Sequence, residues 1–242
     1  MATLLLRLAA PMQSWGVGSK FETRQKLREP SKSGVLGLLA AALGCRRDQL
    51  PQKLLSLKMA VRVDQEGLIF TDYQTVHGIA ADEMGRISRN ADGSRKPAPN
   101  RVYETWRQYL HDAVFVVALE HEDADWLREL EDALRSPVFP LFLGRRSCPP
   151  TLPLVLGIVA QGRKEALHTC PWQAAEAYQR RHAGIALRVV SDVEPESASR
   201  PSRRDVPVSF DPAWRRYGMR AVEQYTILPP GYAEHDPMRE LE

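Results

Sequence analysis

The apolar positions in the first part of the chain alternate between short strand-like runs and helical patterns. Residues 3–8 form a short apolar run, which predicts a buried strand. Residues 35–43 then place leucine, valine and alanine around most of a helix. Ser31 or Ser33 can cap its start, and Gly44 can end it in the left-handed conformation. Because this helix is apolar over most of its circumference, we expect it to be buried against a sheet.

The next elements repeat this order around a long interruption. Residues 58–63 and 113–119 predict two further strands, and residues 125–134 predict a short amphipathic helix. Between the two strands, residues 71–105 contain three glycines, two closely spaced prolines and few large apolar side chains. We interpret this stretch as a projecting, flexible hairpin inserted into the domain. The order strand, helix, strand, insertion, strand, helix indicates an α+β, ferredoxin-like fold, which RNA-recognition motifs share.

The remaining sequence predicts the end of the sheet and a smaller C-terminal β-rich unit. The segments that we expect to be regular are strands at 138–143 and 154–160, a helix at 171–181, and strands at 185–190 and 222–228. Residues 194–207, rich in Pro, Ser and Arg, predict a loop or linker. We therefore expect one unit over residues 1–160, with the insertion at about 71–105, and a smaller unit over 161–242.

Charge is concentrated rather than uniform. The formal net charge of +3 and the pI near 8.8 are too small to indicate nucleic-acid binding by themselves. Residues 7–32, 86–107 and 200–220 each carry six basic side chains against two acidic ones. Three such stretches favour a one-sided basic surface. The alternative for any one of them is an ordinary solvated loop.

The sequence offers little support for a metal, a cofactor or a membrane. Its three cysteines are an odd set without CxxC spacing, and its six histidines are scattered without a metal-binding or catalytic pattern. Gly16-Val17-Gly18 lacks the third glycine of a dinucleotide-binding loop. The apolar runs are too short for a signal peptide or a membrane span. We therefore expect a soluble, cytoplasmic protein with no metal, no cofactor and no catalytic residue.

Three segments carry side chains suited to RNA. Residues 30–34 place two hydroxyls and Lys32 at a helix N-terminus, which suits a phosphate, although an ordinary N-cap explains the same residues. Residues 144–147 put two guanidiniums beside Gly144, where forked donors match phosphate oxygens; the alternative is an exposed turn. Residues 102–110 interleave aromatic rings with arginine, which favours base stacking, although rings such as Trp106 could instead belong to the core.

Several of these motifs together resemble the CasD subunits of type I-E Cascade, the CRISPR surveillance complex, within the RAMP superfamily. The resemblance rests on residues 6–8, 11–16, 30–44, 73–76, 105–113 and 143–149, which run in the family's order. It covers residue 4 to about 157, and the C-terminal third is not assigned by it.

The resemblance implies a ferredoxin-like palm with a protruding thumb that holds the 5′ handle of the CRISPR RNA (crRNA) and caps one end of the complex. The implied partners are a backbone subunit and the large subunit, with target DNA nearby and without a membrane or a homo-oligomer. The residues that we expect to bind RNA are Gln13, Trp15, Arg24, Ser31, Lys32, Ser33, Arg101, Thr105, Arg107, Tyr109, Gly144, Arg145, Arg146 and Ser147.

Two other functions remain open at this point. Related type I-C proteins are endoribonucleases, so the chain could cleave repeat RNA without a metal, with His77 or His111 as general acid or base. It lacks a Lys-His pair near the thumb, which weakens this hypothesis. The third hypothesis is a generic RNA-recognition-like module without a CRISPR role.

Overall fold

The computed structural model describes residues 1–16, 28–47, 49–77, 102–193, 201–211 and 214–230 of the 242-residue chain. The strands are β1 (Ala2–Ala9), β2 (Met12–Gln13), β3 (Lys58–Gln65), β4 (Leu68–His77), β5 (Val102–His111), β6 (Val114–His121), β7 (Val155–Val159), β8 (Leu187–Asp192), β9 (Ser202–Ser209) and β10 (Arg216–Ile227). The helices are α1 (Lys32–Ala42), α2 (Gln52–Leu55), α3 (Ala124–Arg135), α4 (Arg163–Thr169) and α5 (Glu176–Arg181).

The strands form two antiparallel sheets in a mixed α/β fold. The larger sheet has seven strands in the order β7-β1-β6-β3-β8-β10-β9, and the smaller has three in the order β2-β5-β4. The strands beyond residue 160 therefore extend the first sheet, because β8 pairs directly with β3. The smaller sheet is a β4–β5 hairpin to which β2 adds a third, two-residue strand, with Met12 opposite His111.

Both faces of the larger sheet are buried along its central strands, and successive residues of a strand point to opposite faces. On β1, Leu4, Leu6 and Leu8 point to the face that packs with α1 and α3, whereas Leu5 points to the opposite face. That opposite face is covered by α4 and the segment that follows it. Two-sided burial explains why the central strands are apolar runs rather than alternating patterns.

A fully buried ion pair ties the second face together. Arg62 on β3 forms a bidentate pair with Asp64, in which Nε donates to Oδ1 over 2.6 Å and Nη2 donates to Oδ2 over 2.8 Å. The same guanidinium donates to the carbonyl oxygens of Leu167, Cys170 and Pro171, although these residues lie more than a hundred positions further along the chain. The pair thus holds the end of α4 and the following segment against β3.

The structure confirms the predicted start of the fold and corrects three later elements. Residues 138–143 form no strand, because Val138 and Phe139 donate their amides to the last carbonyls of α1 instead. The helix predicted at 171–181 is confined to α5, and α4 before it was not predicted. The predicted linker at 194–207 contains β9 from Ser202 onward. The predicted ranges for α1, α3, β1 and β6 agree with the structure to within three residues.

The insertion predicted at 71–105 is flanked by paired strands. Leu68 lies opposite His111, and the register continues without a shift to His77 opposite Val102. The insertion therefore begins and ends inside a regular hairpin. Residues 78–101, at its centre, lie outside the described residues.

Candidate nucleic-acid interface

Three of the residues predicted to bind RNA form a row on one face of β5. Thr105, Arg107 and Tyr109 alternate along the strand, so their side chains share a face. Arg107 is exposed, Thr105 is half-buried, and Tyr109 is buried at the end of the row nearest the larger sheet. Phe70 lies directly opposite Tyr109 on β4 and contacts His111 with a ring-centroid distance of 4.8 Å.

The Gly144 loop is a tight turn held against the chain after β2. Leu143 donates its amide to the Cys148 carbonyl over 2.7 Å, which closes the turn, and it accepts from the Ser14 amide over 3.0 Å. Gly144 has φ +88° and lies against the Ser14 carbonyl, whose carbon would be only 2.7 Å from an added Cβ. A glycine is required here both by its backbone conformation and by this close approach.

This loop meets β5 through a cation–π contact. The Arg145 guanidinium lies 4.8 Å from the centroid of the Tyr109 ring, and its buried Nη1 has no hydrogen-bond partner among the described residues. The neighbouring Arg146 and Ser147 are exposed. The structure therefore brings together two motifs that are separate in sequence. We call the group Thr105, Arg107, Tyr109, Arg145 and Arg146 the hairpin-base surface.

The side chains of Gln13 and Trp15 are buried and stabilise the chain at β2 and directly after it. The fully buried Gln13 amide donates to the carbonyls of Ala113 and Leu8 over 2.7 and 3.2 Å, and its Oε1 accepts from the Trp15 indole over 2.9 Å. Trp15 is buried against Gly34, where an added Cβ would lie 2.8 Å from the ring. These positions were expected to contact RNA, but their side chains are enclosed by the protein and position the backbone instead.

The α1 N-terminus interacts with a negatively charged group, as its sequence suggested, but this group is a carboxylate of the protein itself. The Lys32 amide donates to Asp205 Oδ2 over 2.9 Å, and Lys32 Nζ pairs with Asp192 over 2.7 Å. Ser31 caps the helix by accepting from the Gly34 amide over 3.2 Å, and its hydroxyl lies 3.4 Å from that of Ser33. The expectation that Ser31, Lys32 and Ser33 hold a phosphate is therefore corrected, because all three are buried and a carboxylate occupies the site.

Arg220 completes this buried cluster. Its guanidinium binds both oxygens of Asp205, over 2.6 and 2.9 Å, and also pairs with Asp192. Burial alone would raise the pKa of Asp192, but the charges of Lys32 and Arg220 outweigh it and hold the pKa below its ordinary value. The cluster joins α1 to β8, β9 and β10, so it links the first and last thirds of the chain.

The depressed pKa of Asp192 predicts a loss of stability in acid. The carboxylate contributes stability that is present above its unfolded pKa of about 3.9 and is lost as pH falls through the lower folded pKa. We expect Asp192→Asn to lower the free energy of unfolding by about 1.5–3 kcal/mol at pH 7, because charged hydrogen bonds are removed. This difference from the unsubstituted protein should become smaller below about pH 4. Denaturant titrations between pH 2 and 7 measure this. A difference in unfolding free energy that stays constant over that pH range would contradict this prediction. Asp125→Asn, at an exposed position, is the control.

The opposite face of the hairpin carries aromatic rings. From the sequence, rings such as Trp106 could have belonged either to the core or to the surface. Tyr73 and Trp106 lie directly opposite each other with centroids 5.4 Å apart, and they are 51% and 42% exposed. Desolvation and the hydrogen bond with Glu104 raise the pKa of Tyr73. Trp106 is thus at the surface. Residues 68–77 begin with three consecutive apolar residues and show no two-residue alternation, so no periodic signal could have revealed this second face.

Two of the residues predicted to bind RNA, Arg24 and Arg101, lie outside the described residues, as does most of the basic stretch at 86–107. Within the described ranges, no group of three or more His, Cys, Asp or Glu side chains has a metal-binding arrangement. No helix in those ranges is long and apolar enough to cross a membrane.

The comparison with known proteins decides the family. A sequence model of the CRISPR-associated protein (Cas_Cas5) family matches residues 3–223. This chain belongs to that family. It is 41% identical over 175 residues to the CRISPR system Cascade subunit CasD of Escherichia coli (strain K12), a match that covers 64% of this chain and 70% of the relative.

Two solved structures agree with this membership. A chain of a CRISPR RNA-guided surveillance complex matches with a TM-score of 0.75 and 34% identity, covering 99% of this chain and 97% of that one. A crystal structure of a Cas protein matches with a TM-score of 0.67 and 33% identity, covering 94% and 95%. The resemblance noted in the sequence is therefore confirmed, and the likeness extends through the C-terminal third.

Proposed function

We propose that this protein is a non-catalytic, cytoplasmic subunit of a CRISPR surveillance complex that binds the 5′ handle of the crRNA and caps the assembly. In this role it supports antiviral DNA targeting and contacts the backbone subunit and the large subunit. The family membership, the likeness to a Cascade subunit and the likeness to a chain of an RNA-guided surveillance complex support this proposal.

We interpret residues 1–160 as a ferredoxin-like palm and the β4–β5 hairpin as the base of a thumb. Four strands of the larger sheet have the order β7-β1-β6-β3, and α1 and α3 lie on one side of them. The chain order strand, helix, strand, strand, helix, strand, together with this strand order, supports interpreting the unit as a split βαβ arrangement. Residues 161–242 then extend the palm through β8, β9 and β10.

The hairpin-base surface carries the proposal. The exposed Arg107 is two residues from Tyr109 on the strand, and the exposed Arg146 follows Arg145 in the loop, so two guanidiniums near the Arg145–Tyr109 contact are available to phosphates. Because Arg145 is already stacked on Tyr109, we assign it a positioning role and assign the phosphate contacts to Arg107 and Arg146. Phosphate contacts and stacking hold an RNA end without cleaving it.

Repeat-RNA cleavage is the alternative that this geometry disfavours. A general acid or base must reach the scissile phosphate, directly or through one water. His111 Nε2 is buried and lacks a hydrogen-bond partner among the described residues, and its ring packs against Phe70. The side chain of His77 lies outside the described residues. If His111→Ala abolishes cleavage of repeat RNA by the purified protein without metal, the non-catalytic proposal is wrong.

The binding test replaces the two exposed arginines of the hairpin-base surface. We expect Arg107→Ala with Arg146→Ala to weaken binding of guide RNA by about 1–3 kcal/mol for each phosphate that an arginine no longer binds. The dependence of log K on log salt should become shallower by about 0.7 for each such phosphate, since fewer counterions are released. Fluorescence anisotropy with a 5′-labelled guide RNA at several salt concentrations measures both quantities.

The matched control replaces Arg180 and Arg181, two exposed arginines on α5. We expect this pair to leave the affinity and the salt dependence unchanged. Equal effects of the two double substitutions would contradict a defined RNA surface at the hairpin base. Unchanged binding after both would contradict the proposed function at this site.

A further inference from the structure

The last third of the chain carries an exposed tryptophan paired with arginine. Trp214 lies just before β10 and is 67% exposed, with its amide donating to the Asp211 carbonyl over 3.1 Å. The Arg216 guanidinium lies 4.7 Å from the centroid of the indole ring. One face of the ring is therefore paired with a cation, whereas much of the remaining ring surface is open to solvent.

The structure divides the basic stretch at 200–220 into two groups. Arg203 pairs with Glu29, and Arg220 pairs with Asp192 and Asp205, so both have structural roles. In contrast, Arg204, Arg215 and Arg216 are exposed, and they form no ion pair within the ranges that the structure describes. The charge that the sequence places here is thus partly neutralised inside the protein and partly presented to solvent.

The exposed group is contiguous. Arg204 Nε donates to the Tyr217 carbonyl over 3.3 Å, which places this arginine beside the start of β10. We call Arg204, Trp214, Arg215 and Arg216 the β10 basic surface. The nearest acidic residues along the described chain are Asp205, which is buried and paired with Arg220, and Asp211, so the three arginines outnumber the one carboxylate that is not buried. This charge balance favours a polyanionic ligand over an acidic or neutral protein surface.

We propose that the β10 basic surface is a second nucleic-acid site, which binds a single strand through one unpaired base and its adjacent phosphates. The base stacks on the open face of Trp214, and Arg215 and Arg216 contact the phosphates on either side of it. A duplex keeps its bases stacked inside, so an indole at the surface distinguishes single strands from duplexes. Arg204 adds charge along the path of the strand.

This site shares no residue with the hairpin-base surface, so substitutions can test the two sites separately. Its residues lie on β9, on β10 and directly before β10, at the far end of the larger sheet from β7. Arginine and indole side chains do not discriminate RNA from DNA by themselves, because every base has a π-face and both backbones carry phosphates. The test therefore includes a strand of each kind.

The experiment is photo-crosslinking of the full chain to 12-nucleotide single strands, one RNA and one DNA, each with a central iodinated pyrimidine. We expect a crosslink at Trp214, identified by peptide mass spectrometry. By fluorescence anisotropy, Trp214→Leu should weaken binding by about 5- to 100-fold, the value of one stacked base. Trp214→Phe should restore part of the affinity, because a smaller ring still stacks.

A second set of variants tests the contribution of charge by comparing two double substitutions. Arg215→Ala with Arg216→Ala should lower the affinity for single strands and make its salt dependence shallower, whereas Arg180→Ala with Arg181→Ala should do neither. Duplex competitors should displace the strand poorly. A stronger effect on RNA than on DNA, or the reverse, identifies which strand the site takes.

Two outcomes would overturn this inference. The first is crosslinking confined to hairpin residues, which would leave the proposed guide-RNA function standing. The second is an unchanged affinity for single strands in Trp214→Leu. If that variant also loses partner subunits, this surface, with the exposed Val208 and Met219, is a protein contact instead.

Discussion

Asp64→Ala should destabilise the protein by about 3–5 kcal/mol, because it leaves the Arg62 guanidinium buried without its counter-ion. Both side chains of the pair have no exposed surface. Asp64 Oδ2 also accepts from the Gln173 amide over 2.6 Å, and its carbonyl accepts from the Trp172 indole over 2.8 Å. Losing the carboxylate therefore loosens the segment after α4 as well.

Equilibrium unfolding in urea measures the effect as a lower midpoint at an unchanged slope. The matched control is Asp125→Ala, which breaks an Asp–Arg pair of similar sequence spacing whose side chains are 87% and 64% exposed. We expect that control to cost no more than about 1 kcal/mol, since exposed ion pairs contribute little. Similar costs for the two variants would show that the buried pair is not required for stability.

The local features of the fold could be predicted because they depend on near neighbours in sequence. The cap of α1 depends on Ser31 and Gly34, three residues apart, and Gly44 ends the helix region with φ +75°. The strands β1 and β6 are short apolar runs because both faces of the sheet are covered there, whereas β3 carries Arg62 and Asp64 on the face that α4 covers. The hairpin at 71–105 was interpreted from its glycines, its prolines and its few large apolar side chains, and the family resemblance then implied a thumb there.

The long-range ion pairs could not be predicted, because no local pattern shows which partner a charged side chain meets. Lys32 was expected to bind phosphate, but its amide meets Asp205, 173 positions along the chain. A count of basic residues gives equal weight to the buried Arg220 and the exposed Arg216. Only the fold separates arginines that are neutralised within the protein from those available to a ligand.

The same reasoning applies to the helix N-terminus. Unpaired amides and the helix dipole require a negative group, and the sequence correctly indicated that requirement. Asp205 meets it from β9, a strand that the sequence analysis had assigned to a linker. The missed strand and the misassigned anion site are therefore one error, because the carboxylate reaches α1 only when β9 pairs with β10.

Gly144→Ala should both destabilise the protein and weaken guide-RNA binding. An alanine at φ +88° costs about 1–3 kcal/mol from the backbone conformation alone. Its Cβ would also overlap the Ser14 carbonyl group, which cannot withdraw easily because the Ser14 amide is bonded to Leu143. The loop must therefore move, and Arg145 and Arg146 must move with it, away from Tyr109.

Gly157→Ala separates the two contributions. Gly157 also has a positive φ, +124°, but an added Cβ would meet nothing within 4 Å. This control carries the backbone cost without the overlap, so it should lose stability and retain RNA affinity. Urea unfolding measures the loss of stability. Anisotropy with labelled guide RNA, under conditions in which both variants are folded, measures the affinity. If Gly144→Ala retains the affinity that Gly157→Ala retains, the position of the Gly144 loop does not determine RNA binding, and Arg146 must be removed from the hairpin-base surface.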